Sequence, residues 1–197
     1  IVMKKMVLGL MVVAGLLGTS TVVANAADTD STGDVAFSSG TLSLSVDNTN
    51  LSFGKNTISA ADATLGASTT PTVKVSDLRG TNAGWSLTVA QGQQFNTKTD
   101  ASGSALTSAA LTVASTKVSS DSPVNPKNAT LTPGTTTSGT TTNGAADTVA
   151  SALSGEGNGI STFTFGGSTL AVPGATPKLA QGYTTTLTWN LGATPSN

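Results

Sequence analysis

Three aspartates in DTDSTGD, Asp28, Asp30 and Asp34, come nearest in this chain to a metal loop. Carboxylates at such spacings suit calcium, but an EF-hand loop closes with an acidic residue at its twelfth position, which here is Ser39. The run reads as a solvated tail, and no metal or cofactor is expected. GEGNG at 155–159 has half the glycines of a phosphate-cradling loop but no helical pattern after it. It holds Glu156, the only glutamate, and a flexible turn is the simpler reading. Asn128-Ala129-Thr130 is a formal glycosylation sequon of a kind that arises often by chance. The chain has no histidine and no cysteine. The commonest general base, the soft metal ligands and the Cys or Ser–His nucleophile arrangements are therefore missing. Acid–base catalysis needs positioned titratable groups, so no enzyme is expected.

The residues left to carry a function are aromatic. Both tryptophans stand in the same pattern, Trp85-Ser86-Leu87 and Trp189-Asn190-Leu191. In a strand, residues two apart share a face. Trp85, Leu87 and Val89 then point one way, and Tyr183, Thr185, Leu187, Trp189 and Leu191 do the same in the second stretch. One reading makes W-x-L a core signature, each indole burying ~150–250 Å² in an aromatic-poor interior. The other makes one or both indoles platforms for a sugar ring or an apolar partner surface. The two combine where an indole edge surfaces at a sheet margin.

The elements that must position these side chains are strands. Short alternating runs recur at 41–46 (TLSLSV), 72–78, 85–90, 110–115, 161–165 and 183–191, rich in β-branched Thr and Val. Turn formers separate them: DNTN, RGTNAG, GEGNG, GG and PGATP. The fold class expected is all-β, an antiparallel sandwich or barrel-like domain. ISAADATLGA at 58–67 suits a helical turn or a loop equally. TPGTTTSGTTTNGAADT at 132–148 is low in complexity, lacks an apolar face, and reads as a long Thr/Gly-rich surface loop.

Residues 3–26 have the three-part grammar of a secretory signal: Lys4 and Lys5, an apolar stretch from Met6 to Leu17, and Ala24-Asn25-Ala26 as cleavage site. The expected organisation is a signal peptide at 1–26, an acidic flexible tail at 27–34 and one β domain at 35–197. Removing Lys4 and Lys5 leaves seven basic residues against ten acidic ones, a net charge of −3. Scattered charges of that sign offer no footprint for nucleic acid and no polybasic signal for a membrane surface. The absence of cysteine suits export from a bacterium that does not rely on extracytoplasmic disulfides.

VSDLRGTNAGWSLTVAQGQQF at 75–95, with its V-x-D-x-R-G lead-in, W-x-L-x-V and closing Gln94 and Phe95, resembles the proximal signature of the WxL-domain proteins. YTTTLTWNL at 183–191, with Pro195 in the short tail beyond it, resembles the distal one. TLSLSVDNTNLSFG at 41–54, LTSAALTVAS and TLAVP are similar to further family segments, so the likeness covers roughly 35–197. The family is exported by low-GC Gram-positive bacteria and held on the wall without covalent attachment. The resemblance implies secretion to the cell surface and non-covalent binding to a cell-wall polymer, with peptidoglycan the ligand. It marks Trp85, Leu87, Trp189, Leu191, Tyr183 and Phe95 as binding or core-motif residues. It also implies co-exported surface proteins as partners, and the alternative reading is a structural subunit whose main contact is such a partner. The C-terminus shows no sorting motif with an apolar stretch and basic tail, so retention is expected to come from the folded surface. At net charge −3, affinity is expected from Thr, Ser, Asn and Gln hydrogen bonds and aromatic contact rather than long-range attraction.

Overall fold

The computed structural model describes residues 31–47, 50–100 and 102–195. The expected signal peptide and most of the acidic tail lie outside them. The chain divides into two units, Ile1–Phe37 and Ser38–Asn197. Of the first, residues 31–37 are described. They form no strand and are exposed throughout, with Val35 79% and Phe37 93% accessible.

The second unit holds fourteen strands, with no helix among the described residues. They are β1 (Leu42–Val46), β2 (Ala63–Gly66), β3 (Thr72–Asp77), β4 (Trp85–Gln93), β5 (Ala110–Val113), β6 (Lys117–Ser120) and β7 (Asn125–Pro126). Then follow β8 (Ala129–Leu131), β9 (Pro133–Thr137), β10 (Thr140–Thr142), β11 (Asp147–Ala152), β12 (Gly159–Thr164), β13 (Thr169–Val172) and β14 (Leu187–Gly192). One sheet runs β1-β3-β12-β6 and a second β2-β13-β5-β8. The third is built on β4: β14 pairs with it over Ser86–Gln91, while β11 and then β9 take the opposite edge. All pairings are antiparallel except β4–β9. The all-β sandwich-like fold is as the alternation predicts, with that one parallel pair added.

The inward rows close one apolar core. Trp85, Leu87 and Val89 of β4, Val73 and Val75 of β3, Phe163 of β12 and Leu111 of β5 are all at most 1% exposed. Burial on that scale removes apolar surface from water at about 25 cal/mol per Å², which makes these rows the main stabilising term. Ordinary alternation holds in the peripheral strands. In β4 it does not: Ser86, Ala90 and Gly92 on the other side are also buried, so this strand is covered on both faces.

Two loop expectations change. The stretch 58–67 is neither helical turn nor loop at its end, since Ala63–Gly66 pairs with β13. The Thr-rich stretch 132–148 lies at the surface as expected, but it is a hairpin rather than an open loop. Thr135–Thr137 pairs with Thr140–Thr142 across Ser138-Gly139. Both turn residues have positive φ, 51° and 78°, the two-residue geometry whose twist suits flanking strands. Threonine supplies β propensity where composition suggests only disorder.

Candidate functional site

Strand pairing brings the two W-x-L motifs side by side. Leu191 of β14 lies opposite Leu87 of β4, and Trp189 lies opposite Val89. The indoles therefore flank the leucine pair, four residue positions apart along the seam, or roughly 14 Å at strand rise. That offset gives them different surroundings.

Trp85 is fully buried. Its Nε1–H donates to the Gly157 carbonyl at 3.0 Å, and its ring meets Phe163 edge-on at 6.1 Å and 82°. A buried indole needs such a partner. GEGNG supplies it: Gly157 has φ +72°, and a Cβ there would run into Ala152 and the indole nitrogen. Glu156 accepts from the Leu153 N–H and the Asn125 amide, both at 3.1 Å. The run that resembled half a phosphate loop is thus the lid over Trp85.

The D-x-R lead-in ties the two motifs together. Asp77 continues the inward row of Val73 and Val75, so a carboxylate faces the core. Arg79 answers it through Nε to Oδ1 at 2.9 Å and Nη2 to Oδ2 at 2.7 Å. Nη2 also donates to the Gly84 carbonyl just before Trp85, and Nη1 to the Ala193 carbonyl just after β14. The Arg79 guanidinium, chiefly through these side-chain hydrogen bonds, holds the Asp77 carboxyl below its usual range while burial works against it. The arginine is raised in turn, mainly by the same bonds. One cation thus joins the start of β4 to the end of β14, which meet at one end of the antiparallel seam. The signal was in TVKVSD, where an acid on an apolar face demands a cation.

Trp189 is partly buried against the core, its ring 4.9 Å from Phe165. It lines a groove of about 1410 Å³. One wall is the stretch 50–58 and the other runs from Leu179 to Trp189. Phe53, Phe95 and Tyr183 join it, Phe53 and Phe95 meeting edge-on at 6.2 Å. The Tyr183 hydroxyl accepts from the Leu179 N–H at 2.7 Å, which holds the ring on its wall. Leu106, Leu111 and Leu170 of the core lie at its base, and the Asn50, Asn56 and Gln181 amides stand along it. Thr184, Thr185 and Thr186 border both this groove and a smaller pocket of about 290 Å³ that Gln93 lines. A large cleft of apolar side chains with a few polar groups is a form suited to binding a ligand.

A match to the family model for the WxL domain, described as surface cell wall-binding, spans residues 21–195. The chain belongs to the WxL family. Comparison with curated proteins and with solved structures yields no match. The WxL domain is a cell wall-binding module, and the family places such chains at the cell surface.

Of the six residues singled out beforehand, Trp189, Tyr183 and Phe95 meet at the groove, whereas Trp85, Leu87 and Leu191 do not line it. Phe53 and the 50–58 wall were not among them: the segment 41–54 is family-like, but 50–58 carries no regular alternation to mark a site. LSF alone, at 51–53, was a usable sign. Asp34 is exposed, and its companions Asp28 and Asp30 lie outside the described residues. Among the described residues, no group of three or more His, Cys, Asp or Glu side chains gathers to hold a metal.

Proposed function

We propose that this WxL domain retains the protein at the bacterial surface by non-covalent binding of a wall glycan, peptidoglycan foremost, in the groove beside Trp189. The partly open indole of Trp189 at the wall of a large cleft carries the reading. Sugar rings present C–H faces that pack on aromatic faces, and their hydroxyl and acetamido groups match amides and threonine hydroxyls. Tyr183 and Phe53 extend the aromatic lining, while Asn50, Asn56 and Gln181 supply donors and acceptors. Export through the leader at 1–26 belongs to the same proposal. No step of it requires bond-making chemistry.

The test is co-sedimentation of the purified protein with washed, protein-free Gram-positive sacculi, before and after removal of covalently attached accessory polymers. Binding is expected to survive that removal, to be lost after muramidase digestion, and to change little when salt is raised several-fold. Trp189→Ala is expected to weaken it by about tenfold or more while the fold persists. Binding that disappears with the accessory polymers would move the ligand from peptidoglycan to those polymers. Undiminished binding by a folded Trp189→Ala variant would remove the groove from the proposal.

A further inference from the structure

Two sheets end in strands that lie near each other and have one edge without a partner strand among the described residues. β1 is the last strand of its sheet, and β14 pairs with β4 alone. The inward rows of these strands, Leu42, Leu44 and Val46 on β1 and Leu187, Trp189 and Leu191 on β14, are only partly buried although they pack on the core. Asp47 N–H donates to the Thr72 carbonyl, so the odd-numbered residues of β1 bond toward β3. In an antiparallel ladder the alternate residues then turn their N–H and C=O groups outward. Leu42, Leu44 and Val46 thus offer open backbone groups beside half-covered side chains. LSLSV has no charge, no proline and no bulge, the usual protections of an edge.

The chain also carries a segment of the matching kind. Thr32–Phe37 has no strand partner among the described residues, and Val35 and Phe37, two positions apart, share a face when extended. These are the two most exposed large apolar side chains among the described residues. Side by side on one face they make a small apolar patch of the kind a partner surface covers. Reaching β1 of its own chain would require a hairpin. Gly40 and Thr41 are already bonded to Leu78, which leaves Ser38 and Ser39 as the turn. Two-residue turns favour glycine or asparagine at positive φ, so a second copy is the better acceptor.

We infer that Thr32–Phe37 of one copy adds as a further strand to the free edge of β1 of a second copy, with Val35 and Phe37 covering Leu42 and Leu44, which unlike Val46 and Trp189 do not line the groove. The contact is heterologous, each copy being donor at its N-terminal side and acceptor at β1, so it assembles copies head to tail. It is independent of wall binding at the groove.

Because the chain has no cysteine, two single-cysteine variants give a clean test. Ala36→Cys mixed with Ser43→Cys or Ser45→Cys under mild oxidation is expected to yield cross-linked heterodimers in several-fold excess over homodimers. In light scattering the parent is expected at the mass of two or more copies, and Val35→Asp/Phe37→Asp at a lower mass, with cross-linking lost and thermal unfolding unchanged. The double variant is expected to sediment with sacculi as before, which separates this proposal from the preceding one. A monomeric parent, cross-linking no better than between the homodimers, or undiminished assembly of the double variant would each overturn it.

Discussion

Trp85 and Trp189 share a motif and a sheet and lie on neighbouring strands, yet one is sealed and the other stands at the wall of a groove. The difference is the position of the strand. β4 has partners on both edges and is covered on both faces, so its indole has no route to solvent. β14 is paired on one side only, and its inward side chains remain partly open. Identical local chemistry therefore yields a core pillar in one place and a candidate platform in the other. W-x-L alone names a strand with an apolar face; what that face meets is a property of the sheet.

The comparison can be broken most forcefully at Trp85. Trp85→Ala empties a fully buried site and orphans the Gly157 carbonyl, and is expected to destabilise the fold by about 3–5 kcal/mol, lowering Tm by roughly 10–15 °C. Wall binding should be lost together with the fold. If the variant unfolds like the parent in urea, Trp85 is not the pillar described here.

The clamp that joins the motifs comes next. Arg79→Met leaves the Asp77 carboxylate, 2% exposed, without its cation, and is expected to destabilise by about 2–4 kcal/mol, while Asp77→Leu/Arg79→Met should recover part of that loss. The pH dependence has a definite sign. The folded Asp77 carboxyl is depressed, so its contribution is fully present above the unfolded value near ~3.9 and drains away as pH falls through the lower folded value. Denaturant unfolding below pH ~4 should show this slope in the parent and a shallower one in Asp77→Asn. Equal slopes would make the pair electrostatically idle.

The smallest stability effect is expected at Trp189. Trp189→Ala should reduce stability by about 1–2 kcal/mol, since part of the ring is already open to water. Trp189→Phe should do less. A thermal shift at Trp189 as large as that at Trp85 would erase the distinction and make both indoles core residues.

Much of the architecture was legible beforehand. Period-two runs in TLSLSV, TVKVSDL and WSLTVA became β1, β3 and β4, because an apolar row facing the core imposes that period on a strand. The hairpin at 133–142 was misread since uninterrupted threonine shows no alternation, and the information lay in Ser138-Gly139 instead. β2 was missed because ATLG is too short to outweigh the alanines around it. At the site, three of six residues meet in the groove, and the opposite wall at 50–58 could not be marked as part of it since loops follow no periodicity.

By itself the sequence determined the all-β class, the shared face of Trp and Leu in each W-x-L strand and the absence of histidine and cysteine chemistry. Local patterns settle such matters because each depends on neighbours two residues apart. Only the tertiary structure decided that Trp85 is central and Trp189 peripheral, that Arg79 reaches both Gly84 and Ala193, and that Phe53 faces Phe95. Those outcomes depend on which strands pair at long range, and a side chain's exposure follows from what the rest of the sheet places over it.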